Sequence, residues 1–243
     1  MRSLLRADVY RLVRKKSLYL YFAGLAVAYA LLTYIRSGGF TPESVTSDAM
    51  TFFTLLPALA GGALFAAVYT DDLGSRALIT LVGSGVRKPV IVVTKAILLA
   101  VGTALVFAVV PVAHAGLYAA LGYPPTGAWT LLYAIAVKFW LTTVAFAVLA
   151  GIVVYGFQRA TFGIVTYLLL GFGVVSGLVG AGLRSFAPDL AAYLMSGITD
   201  RVLLALTGDG GLTWPLVEYG VYIGLAGVVS AVVFGRREME FGA

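Results

Sequence analysis

Residues 89–122 read PVIVVTKAILLAVGTALVFAVVPVAHAGLYAALG, and Lys95 is the only charged residue among them. A helix crosses the hydrocarbon core of a bilayer with about 20 predominantly apolar residues. This run is longer than that, so it predicts a membrane-spanning helix that is strongly tilted or kinked. Pro111 is the expected position of a kink, because proline removes one backbone hydrogen bond from a helix.

The composition of the whole chain also predicts a membrane protein. Of its 243 residues, 60% are hydrophobic and 12% are charged, and the mean hydropathy is +0.97. A soluble domain carries about 25% charged residues, so an ordinary cytosolic globule is excluded, and a disordered chain is excluded as well. The chain has no cysteine, which excludes disulfides and thiolate catalysis. His114 is its one histidine, which excludes a paired-histidine metal site.

Similar apolar runs lie on both sides of this one. We expect six spans, near residues 17–35, 50–69, 90–120, 129–154, 161–182 and 214–235. With the N-terminus inside, 13 lysines and arginines fall in inner segments and three, Arg36, Arg184 and Arg201, fall in outer loops. Because basic loops stay on the cytoplasmic side, both termini are expected there. The sequence predicts a single all-α domain over residues 1–243, with six transmembrane helices, in the cell membrane.

The segment before the first span, residues 3–16, has the pattern of an amphipathic helix. Leu5, Val9, Leu12 and Val13 recur at helical spacing, and basic residues occupy the other side. Such a helix lies in the headgroup plane, where each basic residue adds about 1 kcal/mol of binding to anionic lipid. We expect an elbow helix here; the alternative is that the basic residues act only as a topology signal.

The inner segment between spans two and three, residues 71–88, has a second amphipathic pattern. Asp71 and Asp72 are suited to cap the N-terminus of a helix. An apolar face follows, formed by Leu73, Ala77, Leu78, Leu81 and Val82, and residues 83–85 (GSG) end it. A short helix with one apolar side lies on the membrane or fills a groove on a partner protein. The alternative is a plain connector, for which a few polar residues would suffice.

The order of these features resembles the membrane subunit of type-2 ABC exporters (ABC-2 permeases), in particular the small six-span permeases of bacitracin and lantibiotic resistance. The resemblance is carried by the basic segment 6–16, by 71–75 (DDLGS) continuing through Leu78 and Leu81, by Arg87, Lys88 and Lys95, and by the tail 234–239 (FGRREM). It covers the whole chain. The family more often has glutamate in place of Asp71 or Asp72, and proline with Ser-Arg in place of residues 83–87.

The resemblance implies a division of labour between subunits. Two copies of this chain would join two ATPase subunits, which bind ATP and magnesium, and a coupling helix would dock on each ATPase. It implies these ATPase-coupling residues: Asp71, Asp72, Leu73, Ser75, Leu78, Leu81 and Arg87. The chain itself has no phosphate-binding Gly-x4-Gly-Lys-Ser/Thr motif, so we expect a non-catalytic subunit with no cofactor, no metal and no nucleic-acid partner. The implied activity is outward transport of an amphipathic or hydrophobic peptide or drug.

Three polar residues fall at similar depth in the outer half of the predicted spans: His114, Lys138 and Glu218. A charge at that depth costs about 2.5–3.5 kcal/mol on insertion scales unless it is paired or reaches the headgroups. One hypothesis is a structural Lys138–Glu218 pair, or a Lys138 that reaches the outer headgroups. The other is that these residues, His114 and Lys138 above all, line the export path or its outer gate.

Two further features carry expectations about packing. The outer segment 183–213 predicts one or two interfacial or re-entrant helices, ended by the glycines around 208–211. The glycines of residues 161–182, such as Gly173 and Gly177, permit close helix approach, within the chain or in a homodimer. Alternatives to the exporter are a secondary transporter or channel, which usually shows related halves or several mid-membrane charges, and an accessory or scaffold membrane protein, a class that includes intramembrane enzymes. Membrane lipid is an expected partner of the chain.

Overall fold

A computed structural model describes residues 2–35, 44–74, 77–123, 127–187, 193–208 and 210–236. Within these ranges every regular element is a helix, which confirms the all-α prediction. The helices are α1 Arg2–Val13, α2 Lys16–Ile35, α3 Ser44–Leu56, a π-helical turn Pro57–Gly61, α4 Gly62–Gly74, α5 Ala77–Gly83, α6 Lys88–Ala120, α7 Trp129–Phe157, α8 Ala160–Gly171, α9 Val174–Phe186, α10 Met195–Leu206 and α11 Thr213–Arg236.

The described residues contain five helices that are long and apolar enough to cross a membrane. They are Lys16–Ile35, Val45–Thr70, Lys88–Ala120, Trp129–Phe157 and Thr213–Arg236. A sixth span exists if the bent pair formed by Ala160–Gly171 and Val174–Leu183 crosses as one. A multi-pass membrane protein is therefore confirmed at this level, and five of the six predicted runs coincide with these five helices.

The apolar run 89–122 forms α6, which extends from Lys88 to Ala120 and continues through Pro111. Pro111 is buried, as is His114 one turn later. Both face the inside of the bundle, so the proline lies on the packed side of the helix.

Helix α7 occupies the centre of the bundle and packs against α3, α6, α8, α10 and α11. Its buried side chains are rich in small residues: Ala134, Ala136, Ala145, Ala147, Ala150 and Gly151. Small side chains let neighbouring backbones approach closely. In a membrane the hydrophobic effect does not drive helices together, so the van der Waals contacts of this close approach stabilise the bundle.

The predicted fifth span, 161–182, is not one straight helix. It is broken between α8 and α9, whose axes differ by 59°. Gly173 lies at the break with φ +74°, a left-handed conformation that favours glycine. The amide of Gly173 donates to Leu170 O at 3.0 Å, which closes the last turn of α8. This corrects the expectation of a continuous span.

A second irregularity faces this break. Pro57 begins a π-helical turn in the middle of the second span, because its ring leaves no N–H for the helical ladder. The hydroxyl of Tyr167 on α8 donates to the carbonyl oxygen of Pro57 at 2.8 Å. The end of α8 then lies directly against the turn, with Gly171 beside Ala58. Two interrupted spans therefore support each other.

The N-terminal helix and the end of α11 lie at the same end of the bundle, which we call the basic end. Lys88 at the start of α6 has its Nζ 3.4 Å from Gly235 O and 5.4 Å from the ring centre of Phe234. Lys95, two turns further along α6, contacts Asp8 of α1. An even number of crossings would place both ends of the chain on one side of the membrane.

Candidate functional site

Four charged side chains from three helices meet at the basic end. Lys95 Nζ on α6 lies 2.7 Å from Asp8 Oδ2 on α1 and also pairs with Asp72 on α4. Arg11, one turn after Asp8, pairs with Asp72 and lies 3.3 Å from Asp8 Oδ1. We call Asp8, Arg11, Asp72 and Lys95 the charge cluster.

Three of the four side chains in the charge cluster are buried, whereas that of Arg11 is 32% exposed. The relative exposure is 0% for Lys95, 1% for Asp72 and 5% for Asp8. Two positive and two negative charges alternate, so the group is neutral overall. Isolated charges in a low-dielectric interior cost several kcal/mol each, and only close pairing offsets this. The cluster therefore holds three helices in one arrangement.

Asp72 is not the helix cap that its sequence suggested. It lies in the last turn of α4, which continues to Gly74, and its carboxylate points to Arg11 and Lys95. The expectation of a new helix N-terminus at this position is wrong because α4 extends past both aspartates. The side chain of Asp71 and the whole of Ser75 lie outside the described residues.

Helix α5 exists where the sequence predicted a short helix, but its apolar side is not free. Leu78 is buried in a core cluster, and Leu73 and Leu81 pack against the same cluster. The face that was expected to dock on a partner or the membrane instead attaches α5 to this chain. Thr80 and Arg87 are exposed on this segment, whereas Leu73 and Leu81 are half-buried. The coupling role of these residues stays a prediction.

Helix α1 also packs inward more than predicted. Leu4, Leu5 and Leu12 contact the core cluster, with Asp8 buried among them. Val9, which the sequence placed on the apolar face, is exposed. Val13 is exposed as well. The buried face of α1 is therefore rotated about the helix axis from the predicted face, because buried Asp8 pairs with Lys95 of α6. The predicted location of α1 in the headgroup plane stays a prediction.

The three polar residues predicted at one depth take three different partners. Lys138 Nζ lies 2.6 Å from Asp200 Oδ1, and Glu218 pairs with Arg201. The expected Lys138–Glu218 pair is therefore wrong. The reason is α10, which packs against α7 and α11 and carries both Asp200 and Arg201. The segment 183–213 therefore contains a helix, α10, and its expected interfacial or re-entrant placement stays a prediction.

A cavity of about 460 Å³ opens beside the Lys138–Asp200 pair, and we call it the polar cavity. Its walls come from α3, α7, the α8–α9 break, α10 and α11. Its polar lining consists of Thr54, Lys138, Thr142, Ser176, Ser196, Thr199, Asp200 and Tyr222, and its apolar lining includes Phe139, Phe146, Leu149 and Leu170. Sequence reasoning found Lys138 but missed the hydroxyl side chains, which carry no signal without the fold.

His114 does not line the polar cavity. Its ring is buried, with Nε2 2.8 Å from Val45 O and Nδ1 bonded to the hydroxyl of Tyr29. Phe53 and Tyr118 pack around it at ring distances of 5.7 and 4.9 Å. The structure therefore places His114 in an aromatic core, apart from Lys138, and a gating role for it stays a prediction.

No protein-family model matches the chain, and no curated protein sequence matches it. The function of the chain is therefore inferred from its sequence pattern, from the charge cluster and from the polar cavity.

Proposed function

We propose that this chain is the membrane subunit of an ATP-driven exporter of the ABC-2 type. The observation that carries the proposal is α5, a short helix between two spans at the basic end that is anchored inward and exposed outward. Leu78 attaches it to the core, while Thr80 and Arg87 face away. A helix fixed in this way transmits force to the bundle when another protein grips it.

The charge cluster supports such transmission. Asp72 lies just before α5 and Lys95 lies in the second turn of the helix after it, and both pair with α1. A displacement of α5 would therefore move α4, α6 and α1 together. Packed helices respond to force as rigid bodies, because close-packed cores do not deform continuously.

The orientation and assembly follow from the same proposal. The basic end lies in the cytoplasm, consistent with the excess of lysine and arginine in the predicted inner segments. Two copies of this chain and two ATPase subunits form the exporter, and ATP with magnesium binds the ATPase. The substrate is an amphipathic or hydrophobic molecule that enters the bundle near the polar cavity.

The proposal is tested by placing a bulky residue on the exposed side of α5. We expect Thr80→Trp to reduce co-purification and coupled ATP hydrolysis with an ATPase encoded beside this chain by about tenfold, the effect of roughly 1.4 kcal/mol of lost binding. Thr207→Trp, at the end of α10, is the matched control and should retain wild-type coupling. Equal behaviour of the two well-folded variants would contradict the proposed role of α5.

A secondary transporter is the second candidate, and the charge cluster is the observation that favours it. Ionisable side chains inside membrane proteins often mark ion or proton pathways, and Asp8, Asp72 and Lys95 are buried together. Measurements of substrate transport in proteoliposomes distinguish the two candidate functions. Substrate movement driven by an ion gradient without any ATPase would establish the second candidate, whereas movement that requires ATPase and ATP would establish the exporter.

A further inference from the structure

We propose that the polar cavity binds the headgroup of a zwitterionic membrane lipid that carries a primary ammonium, such as phosphatidylethanolamine. This goes beyond the exporter proposal, because it concerns binding to this chain alone and requires neither an ATPase nor ATP. If the exporter proposal also holds, the site names the chemical class of molecule that enters the bundle.

The two members of the ion pair in the polar cavity differ in exposure. The side chain of Lys138 is 15% exposed, whereas that of Asp200 is 55% exposed. Lys138 contacts Oδ1 of Asp200, and both residues line the cavity. An incoming ligand therefore meets a carboxylate at an accessible position and an ammonium set deeper beside it.

The charge cluster at the basic end shows how this chain neutralises a buried ion pair. There, the pair Lys95–Asp72 is completed by a second pair, Asp8 and Arg11, which together give an alternating neutral quartet. At Lys138–Asp200, the other residues that line the polar cavity are uncharged, so no second ion pair lines it. A ligand of one sign would leave a net charge in a low-dielectric site, which is costly. A ligand with both signs completes the quartet.

The orientation of the ligand follows from the hydrogen-bonding groups. A phosphate lies toward Lys138, and the hydroxyl oxygens of Thr142 and Thr199 lie nearby, 3.5 Å apart. These hydroxyls donate to Lys138 O at 2.9 Å and to Met195 O at 3.0 Å, so each would rotate to donate to the phosphate. An ammonium lies toward Asp200. Because a carboxylate accepts hydrogen bonds from N–H groups, a primary ammonium suits Asp200 better than a trimethylammonium, which has no N–H to donate.

The entrance to the polar cavity is apolar. Its rim at the α8–α9 break includes Phe172 and Val179, which are apolar and exposed; Val174 beside them is exposed too. In a membrane-spanning chain, exposed apolar residues at a span face hydrocarbon. The ligand thus enters sideways from the bilayer, with its headgroup inside and its acyl chains against the apolar wall formed by residues such as Phe146 and Leu170.

The experiment measures lipid binding to the purified chain in detergent micelles by native mass spectrometry. The probes are phosphatidylethanolamine, phosphatidylcholine and phosphatidylglycerol with identical acyl chains. We expect phosphatidylethanolamine to bind about tenfold more tightly than either of the others, which corresponds to about 1.4 kcal/mol. Equal retention of the three lipids by the wild-type chain would overturn the proposal without any need for a variant.

Variants locate the site. Lys138→Met and Asp200→Asn should each abolish the preference for phosphatidylethanolamine. The double variant Arg201→Gln/Glu218→Gln removes a neighbouring ion pair that does not line the cavity, and it should keep the preference. A preference that survives in folded Lys138→Met and Asp200→Asn would assign the lipid to another surface and overturn the proposal. Failure of ATP-driven transport, in contrast, would affect only the exporter.

Discussion

Replacing Lys95 by methionine is expected to lower the free energy of unfolding by about 3–5 kcal/mol, the usual effect of removing one partner from a buried ion pair. Lys95 is fully buried and pairs with both Asp8 and Asp72. Its loss leaves two buried carboxylates with Arg11 as their remaining partner in the charge cluster. The measurement is unfolding in mixed micelles at increasing denaturing detergent, read from helical circular dichroism.

The control for this prediction is the same substitution at Lys88, the preceding lysine in the sequence. Lys88→Met changes the first residue of α6, whose Nζ lies 3.4 Å from a backbone carbonyl, and we expect a loss of less than about 1 kcal/mol. The double variant Asp72→Asn/Lys95→Met removes one positive and one negative charge, so it should lose less than the sum of the single variants. Strict additivity, or equal stability of Lys95→Met and Lys88→Met, would contradict the assigned role of the cluster.

The spans were predictable from the sequence because a bilayer imposes a simple length and composition rule. The runs around α6 and α7 contain almost no charge over more residues than a membrane requires. The break at Gly173 was not predictable in the same way. Several glycines lie between residues 161 and 182, and the one that adopts a left-handed conformation is fixed by contacts between α8 and the turn at Pro57.

The charged residues show where sequence reasoning ends. Asp72 resembled a helix cap locally, but its partners Arg11 and Lys95 are distant in the chain, and only the packing of α1 on α4 and α6 brings them together. Lys138 offers the same lesson. Two acidic residues, Asp200 and Glu218, were available to pair with it, and the packing of α10 on α7 selects Asp200.

The glycines of the fifth predicted span divide into two classes. A Cβ at Gly171 would meet the backbone of Ala58, and one at Gly163 would collide with Val154, so these glycines support close packing within the chain as predicted. Gly177 and Gly182 have open space around their Cβ positions. The small-residue spacing from Gly173 to Gly177 therefore makes no such contact here, and a homodimer contact at that position stays a prediction.

Gly171→Ala is expected to lower the free energy of unfolding by about 1–3 kcal/mol, because it overpacks a close contact. An added Cβ would lie 2.8 Å from Ala58 Cα and 3.1 Å from Ala58 N. Backbone atoms of a π-helical turn cannot rotate away as a side chain can, so α8 must shift. Gly171 also lines the polar cavity, and the shift should weaken retention of phosphatidylethanolamine in the same preparation.

Gly177→Ala supplies the matched comparison for Gly171→Ala. The same methyl group is added to a glycine in α9, the helix after the break, and nothing lies within 4 Å of the added Cβ. Alanine favours a helix over glycine by about 1 kcal/mol, so Gly177→Ala should unfold at a denaturant concentration equal to or above that of the wild type. Equal destabilisation by both substitutions would mean that the contact between α8 and the Pro57 turn does not hold the broken span in place.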